Sequence, residues 1–222
     1  MRVTLDEPWL LAHLPGPHEV LSWAIVGGGR VVAHTVAWLQ VTNADLPEDV
    51  DPVALLEARL AGAGLSGAVG LLTAAGVARY TEAEARSGDV VARALVTVGL
   101  RNALRAGDPV TPAQVGTINL LVSVNVPLSE AALVEALAVA VEGRALAVLE
   151  AGTLSKQSGL PASGTGTDCV VIAAPRGGQA LAYAGKHTDV GASVGRAALE
   201  ATRAGALQWF SRQAAKQKGM NV

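Results

Sequence analysis

The alternation of apolar and polar positions is clearest between residues 117 and 126. Ile118, Leu120, Val122, Val124 and Val126 fall on one side of an extended chain, and Asn119, Leu121, Ser123 and Asn125 on the other. This predicts a strand with one apolar face and a second face that carries two amides and borders a site or a polar layer. The same period of two runs through residues 31–42. Val31, Ala33, Thr35, Ala37, Leu39 and Val41 share one face; Val32, His34, Val36, Trp38, Gln40 and Thr42 share the other. Residues 18–26 are apolar and partly alternating, and Gly27-Gly28-Gly29 between the two runs tolerates positive φ, so a hairpin is predicted. Thr42-Asn43-Ala44-Asp45 ends its second strand in turn formers.

Residues 68–75, 89–99 and 167–174 are short apolar runs suited to buried strands, with residues 179–184 as a hairpin partner for the last. Helices are predicted over 52–60, opening with Pro52 and stopping at Gly62; from Ser129-Glu130 to about Ala151, closed by Gly152; and from Thr188 or Asp189 to about Lys216. Gly107-Asp108-Pro109 reads as a turn, and Glu82, Glu84 and Asp89 as a solvated surface. Strands and long helices interleave, so the class is mixed α+β in layers.

Composition narrows the function classes. With 222 residues and neither a long linker nor a repeat, one domain over residues 1–222 is expected. A net charge of −2 supplies no basic field for nucleic acid or an anionic membrane. Mean hydropathy is +0.37, yet no run reaches the roughly 18 apolar residues of a spanning helix. Residues 131–150 come nearest and are interrupted by Glu135, Glu142, Gly143 and Arg144. The first residues, MRVTLDEPWLL, carry acids and a proline where a signal peptide has a positive stretch, so a cytoplasmic protein is expected. The single cysteine, Cys169, excludes an internal disulfide and a multi-thiolate metal site, and reads as a small buried hydrophobe. His13, His18 and His34 have no partner at metal-ligand spacing, so no metal site is expected.

Candidate chemistry concentrates in residues 163–195. Gly164-Thr165-Gly166-Thr167-Asp168 enters an apolar strand; Gly185-Lys186-His187-Thr188 precedes a helix with Gly191 and Gly195 in its first turns. Glycines on both sides of Thr165 let the backbone approach a ligand. A helix amino terminus behind Lys186-His187-Thr188 favours developing negative charge. Should a hairpin return these residues beside Asp168, one cleft would hold a carboxylate, an imidazole, an ammonium and several hydroxyls. That set suffices for general acid–base attack on an amide with oxyanion stabilisation. In the alternative, Asp168 merely caps the backbone N–H groups of a turn, which is equally compatible with the spacing.

These segments resemble the adenosylcobinamide amidohydrolase family. The resemblance is carried by Val69-Gly70-Leu71-Leu72-Thr73-Ala74-Ala75, Gly99-Leu100-Arg101-Asn102-Ala103, Ala106-Gly107-Asp108, Gly116-Thr117-Ile118-Asn119-Leu120 and Leu128-Ser129-Glu130-Ala131-Ala132-Leu133. Gly164-Thr165-Gly166-Thr167-Asp168 and Ala184-Gly185-Lys186-His187-Thr188 are its strongest pieces. The sequence departs from the pattern at Val141-Glu142-Gly143-Arg144-Ala145-Leu146 and at Ser163. The resemblance implies hydrolysis of the amide between the corrin propionate and the aminopropanol arm of adenosylcobinamide, with the corrinoid as substrate and no cofactor. On that reading Asp168 and His187 form the acid–base pair with Lys186 beside them, and Thr165, Thr167, Thr188, Asn119, Thr117 and Asn102 bind the substrate. A fainter likeness, at Gly116-Thr117-Ile118-Asn119 and Pro127-Leu128, is to self-processing aminopeptidases related to ornithine acetyltransferase. It implies an α/β/β/α sandwich of two sheets covered by helices, and Thr117 as an alternative nucleophile. A corrinoid-binding module without turnover is the other alternative. The low charge also suits a homo-oligomer.

Overall fold

The computed structural model describes residues 1–42, 44–110 and 116–219; Asn43, part of the turn expected after the second strand, lies outside the described residues. In chain order the elements are β1 (Arg2–Asp6), β2 (Trp9–Ser22), β3 (Gly29–Gln40), α1 (Pro52–Gly62), β4 (Val69–Thr73), β5 (Thr81–Ser87), β6 (Val90–Val98) and β7 (Ala103–Leu104). There follow β8 (Ile118–Val124), α2 (Glu130–Glu150), β9 (Gly164–Thr165), β10 (Cys169–Pro175) and α3 (Asp189–Gly219).

The expected hairpin is β2–β3, antiparallel from Trp9↔Leu39 to Ser22↔Gly29. Its first strand is longer than the alternation suggests, because Pro15-Gly16-Pro17 is absorbed as a register irregularity between His13 and His18 rather than ending the strand. The main sheet runs β4-β3-β2-β10-β8-β6-β5, with β1 beside the first half of β2. Within this sheet β3–β4 and β8–β10 pair parallel, and the other pairs among the described residues are antiparallel.

This one sheet doubles back on itself. The Trp38 indole of β3 donates to the Asn119 carbonyl of β8 at 3.4 Å, and the Asn119 amide donates to the Leu72 carbonyl of β4 at 2.7 Å. Between the two layers lies an apolar core containing Leu10, Val36, Trp38 and Leu71 from one side and Leu95, Leu121 and Val171 from the other. Helix α1 covers the outer face of β3 and β4 through Leu56 and Leu60. Helices α2 and α3 cover β6, β8 and β10, where Ile118, Leu120, Val122 and Val124 meet Ala132, Leu133, Val194 and Ala198. The molecule is thus a mixed α+β fold with layers in the order α/β/β/α. The two inner layers are halves of one folded sheet rather than separate sheets, since β2 belongs to both.

The two faces of β8 divide as the alternation requires. β3 is less regular: Val32 and His34 are exposed while Val36 and Trp38, of the same parity, are buried. Only the second half of that strand is sandwiched between α1 and the opposite layer. β5 is an edge strand in which Glu82 and Glu84 face outward and Ala85 faces the core, so two of the solvated acids belong to a strand, while Asp89 lies in the turn that follows it. Residues 179–184 form no hairpin with β10. Leu181 instead makes a bridge with Leu128, and its carbonyl accepts from the Ser129 N–H at 2.9 Å, which ties this segment to the entry of α2.

Candidate active site

The amino-terminal ends of β8 and β10 are in register, with Cys169 opposite Asn119, so the residues just before each strand meet. Here Asp168 is the hub. Its Oδ1 accepts from the Ile118 N–H at 2.9 Å and from the Thr165 hydroxyl, and its Oδ2 accepts from the Thr165 N–H at 2.9 Å. The remaining bond comes from Arg144 of α2, which forms an ion pair with Oδ2. The side chains of Arg144 and Asp168 are 10% and 7% exposed, so this pair is withdrawn from water. A Cβ at Gly164 would collide with both the guanidinium and the carboxylate; glycine is required there by close approach, and its φ is unremarkable.

Around this hub the Thr117 hydroxyl donates to the Thr167 carbonyl at 2.7 Å and lies 3.3 Å from Asn119 Oδ1. The Thr167 hydroxyl donates to the Gly116 carbonyl at 3.0 Å. Asn102 is buried between Gly116 and Gly166, and its carbonyl accepts from the Gly166 N–H at 3.3 Å. Thr117 and Asn119 are 5% and 2% exposed, whereas Gly166 and Thr167 are open to solvent. The half-exposed Trp23 closes one side, its indole donating to the Asp168 carbonyl at 2.6 Å. Thr117, Asn119, Asn102, Thr165, Thr167 and Asp168 are therefore brought together.

Lys186, His187 and Thr188 are not part of this group. β10 carries the chain about 20 Å away from Asp168 at roughly 3.3 Å per residue over seven residues. The segment 184–189 then packs elsewhere. The Ala184 N–H donates to Glu135 at 2.7 Å, Lys186 pairs with Glu142 at 2.6 Å, and Asp189 accepts from Ser87 at 2.5 Å. Glu142 and Arg144 are two positions apart on α2, about 200° around a helix, so the partner of Lys186 and the partner of Asp168 leave from opposite sides. The expected cleft holding carboxylate, imidazole and ammonium together is not formed, because α2 lies between them. Lys186 and His187 are exposed. Thr188 caps α3, its hydroxyl accepting from the Gly191 N–H at 3.1 Å and donating to the Gly185 carbonyl at 2.8 Å.

The glycines of α3 have a packing explanation. Gly191 leaves room for the carbonyls of Ala184 and Gly185, and a Cβ at Gly143 would stand 2.7 Å from the Gly195 carbonyl of the facing helix. Arg144 was not among the expected site residues. Its signal in the sequence is a lone cation on a helix otherwise rich in Ala, Val and Leu, a pattern that demands a buried counter-charge. Burial pushes the Cys169 thiol up to about 12, so this residue is no thiolate nucleophile near neutrality. Among the described residues no three His, Cys, Asp or Glu side chains are placed to share a metal ion, and no helix is long and apolar enough to cross a membrane.

A cavity of about 150 Å³ opens next to the cluster, between the ends of β4 and β6 and the second half of α3. Gly99 and Gly116 form the wall it shares with Thr117, whose carbonyl accepts from the Gly99 N–H at 2.9 Å.

Among solved structures the chain is similar to a Burkholderia β-aminopeptidase at 14% identity, with 90% of this chain and 78% of that one covered and a TM-score of 0.44. The L-aminopeptidase D-Ala-esterase/amidase of Ochrobactrum anthropi matches 89% of this chain and 76% of its own at 14% identity and a TM-score of 0.44. Among curated proteins, an adenosylcobinamide amidohydrolase of Halobacterium salinarum is 38% identical over 159 residues, covering 66% of this chain and 63% of the relative's length. One of Methanosarcina mazei is 29% identical over 201 residues, covering 86% of this chain and 92% of the relative. Residues 1–214 match the family model described as adenosylcobinamide amidohydrolase, and the chain belongs to that family.

Proposed function

We propose that this chain hydrolyses the amide joining the aminopropanol arm of adenosylcobinamide to a propionate of the corrin ring, releasing adenosylcobyric acid and 1-aminopropan-2-ol. The observation that carries the reading is the family match over residues 1–214. In the reaction, water adds to the amide carbonyl carbon, the C–N bond breaks, and the amine departs with a proton. The corrinoid is the substrate and the reaction needs no redox partner.

The cluster at the starts of β8 and β10 is the favoured location, because it joins buried hydroxyls and amides to a solvent-open mouth. Thr167 stands at that mouth, with Thr117, Asn102 and Asn119 buried behind it, and their donors and acceptors suit an amide. Asp168 acts through others. Both its oxygens are committed to Ile118, Thr165 and Arg144, so it is a positioning residue that holds the Gly164–Thr167 turn against β8. His187 takes no part in this arrangement.

Incubation with adenosylcobinamide, followed by mass spectrometry of the corrinoid and of free aminopropanol, tests the reading. Thr117→Ala and Asp168→Asn are each expected to lower turnover by about 100-fold or more, while His187→Ala stays within about threefold of the parent. Full activity in Thr117→Ala would move the chemistry out of this cluster. An inactive but folded His187→Ala would move it to the Lys186-His187-Thr188 segment. Corrinoid bound without product would make the chain a corrinoid-binding module.

A further inference from the structure

The cavity beside Gly116 has an electrostatic character that amide hydrolysis does not call for. Its walls include Arg79, Arg101, Arg212 and Lys216, with Gln213 and Trp209 among them and no acidic residue. None of these four cations forms an ion pair among the described residues; Arg2, Arg59, Arg86, Arg105, Lys156 and Arg196 form none either, so what sets the four apart is that they line one cavity. Gathering four like charges around one concavity costs free energy unless an anion offsets it. Arg79, Arg101 and Lys216 are exposed and Arg212 is partly buried. Gly76 is the residue over which Arg79 folds back: a Cβ there would lie 2.7 Å from the guanidinium. Burial, and then the charge of Arg79 on the same cavity wall, lower the pKa of Arg212.

We propose that this cavity is a binding site for a phosphoryl group, held by Arg79, Arg101, Arg212 and Lys216. A carboxylate is matched by a single guanidinium, whereas a phosphate presents three terminal oxygens and up to two charges and is bound by several forked donors at once. The volume of about 150 Å³ leaves room beyond the phosphate itself, and Trp209 offers that remaining space an aromatic wall. The phosphoryl group comes either as inorganic phosphate or as the ester of a small molecule whose remainder lies against Trp209. The site does not depend on the amidohydrolase reading, since it rests on the four cations that line one cavity.

Calorimetric titration of the intact chain at fixed ionic strength, with inorganic phosphate, AMP and adenosine as separate probes, tests it. Phosphate and AMP are expected to bind with a Kd below about 1 mM, and adenosine is expected not to bind. AMP binding tighter than phosphate identifies an ester as the ligand; equal affinities identify the free ion. In Arg79→Gln/Arg212→Gln, both affinities should fall at least about tenfold. Lys216→Gln, at the exposed end of the cavity, should give a smaller loss in the same direction and guards against a folding defect in the double variant. Failure of both phosphate and AMP to bind the parent chain overturns the proposal. So does binding that is unchanged in the folded variants. Neither result bears on turnover of adenosylcobinamide.

Discussion

At the scale of single residues, the ion pair between Arg144 and Asp168 is the feature with the largest consequence. Two charges removed from water stabilise the fold only while each has the other. Arg144→Met should therefore cost about 3–5 kcal/mol, which for a chain of this size lowers Tm by on the order of 10 °C. Combining it with Asp168→Asn should cost less than the sum of the two changes, because the second removes the carboxylate that the first strands. Thermal unfolding of the three variants measures this, and a loss under about 1 kcal/mol in Arg144→Met would mean the pair is not structural. Asp168 is recognisable in the sequence from its glycine-threonine setting. Its partner is not, because position 144 is 24 residues away and nothing in the spacing says which face of α2 meets the sheet.

At the scale of elements, the contact of α2 with α3 sets glycine against helix propensity. Alanine is about 1 kcal/mol better than glycine inside a helix, but a Cβ at Gly143 would press on the backbone carbonyl of Gly195. Gly143→Ala should thus destabilise by about 1–3 kcal/mol, as overpacking does. Gly62→Ala, at the end of α1 with nothing within 4 Å of the added carbon, should stabilise by a few tenths of a kcal/mol. Urea unfolding of the pair decides the matter, and equal effects would remove the packing explanation. β8, β10 and the three helices are legible from period and capping residues alone. β1 and β5 are not. Thr81-Glu82-Ala83-Glu84-Ala85-Arg86-Ser87 is poor in β-branched and aromatic residues, and it becomes a strand because β6 offers it an edge.

At the scale of the whole molecule, the doubled sheet places Gly116-Thr117 within a buried polar cluster. The Gly116–Thr117 bond is where a self-processing hydrolase of the alternative kind would cleave. Intact-mass measurement on active protein should return the full 22.5 kDa chain; two fragments that together account for it, broken before Thr117, would make Thr117 an amino-terminal nucleophile. The folding of the sheet also explains why the site is only half legible. Thr117, Asn119, Thr165, Thr167 and Asp168 are joined by the register of two parallel strands, and neighbouring strand starts are what local motifs can reveal. Lys186, His187 and Thr188 stand near Asp168 in sequence, but Lys186 pairs with Glu142 and Asp168 with Arg144, on opposite sides of α2.

Sequence alone was enough to establish the mixed α+β class, the two faces of β8, the long helices with Ser129 and Thr188 at their starts, and the family likeness. All of these depend on interactions between residues close along the chain, where the period of side chains and the chemistry of caps and turns act directly. It took the tertiary structure to make one sheet into two layers through β2, to give Asp168 to Arg144 rather than to His187, to make Gly191 and Gly195 packing contacts, and to gather Arg79, Arg101, Arg212 and Lys216 around one cavity. Each of those depends on which face of one element meets which face of another. That choice is set by the summed burial of the whole core, to which no local motif has access.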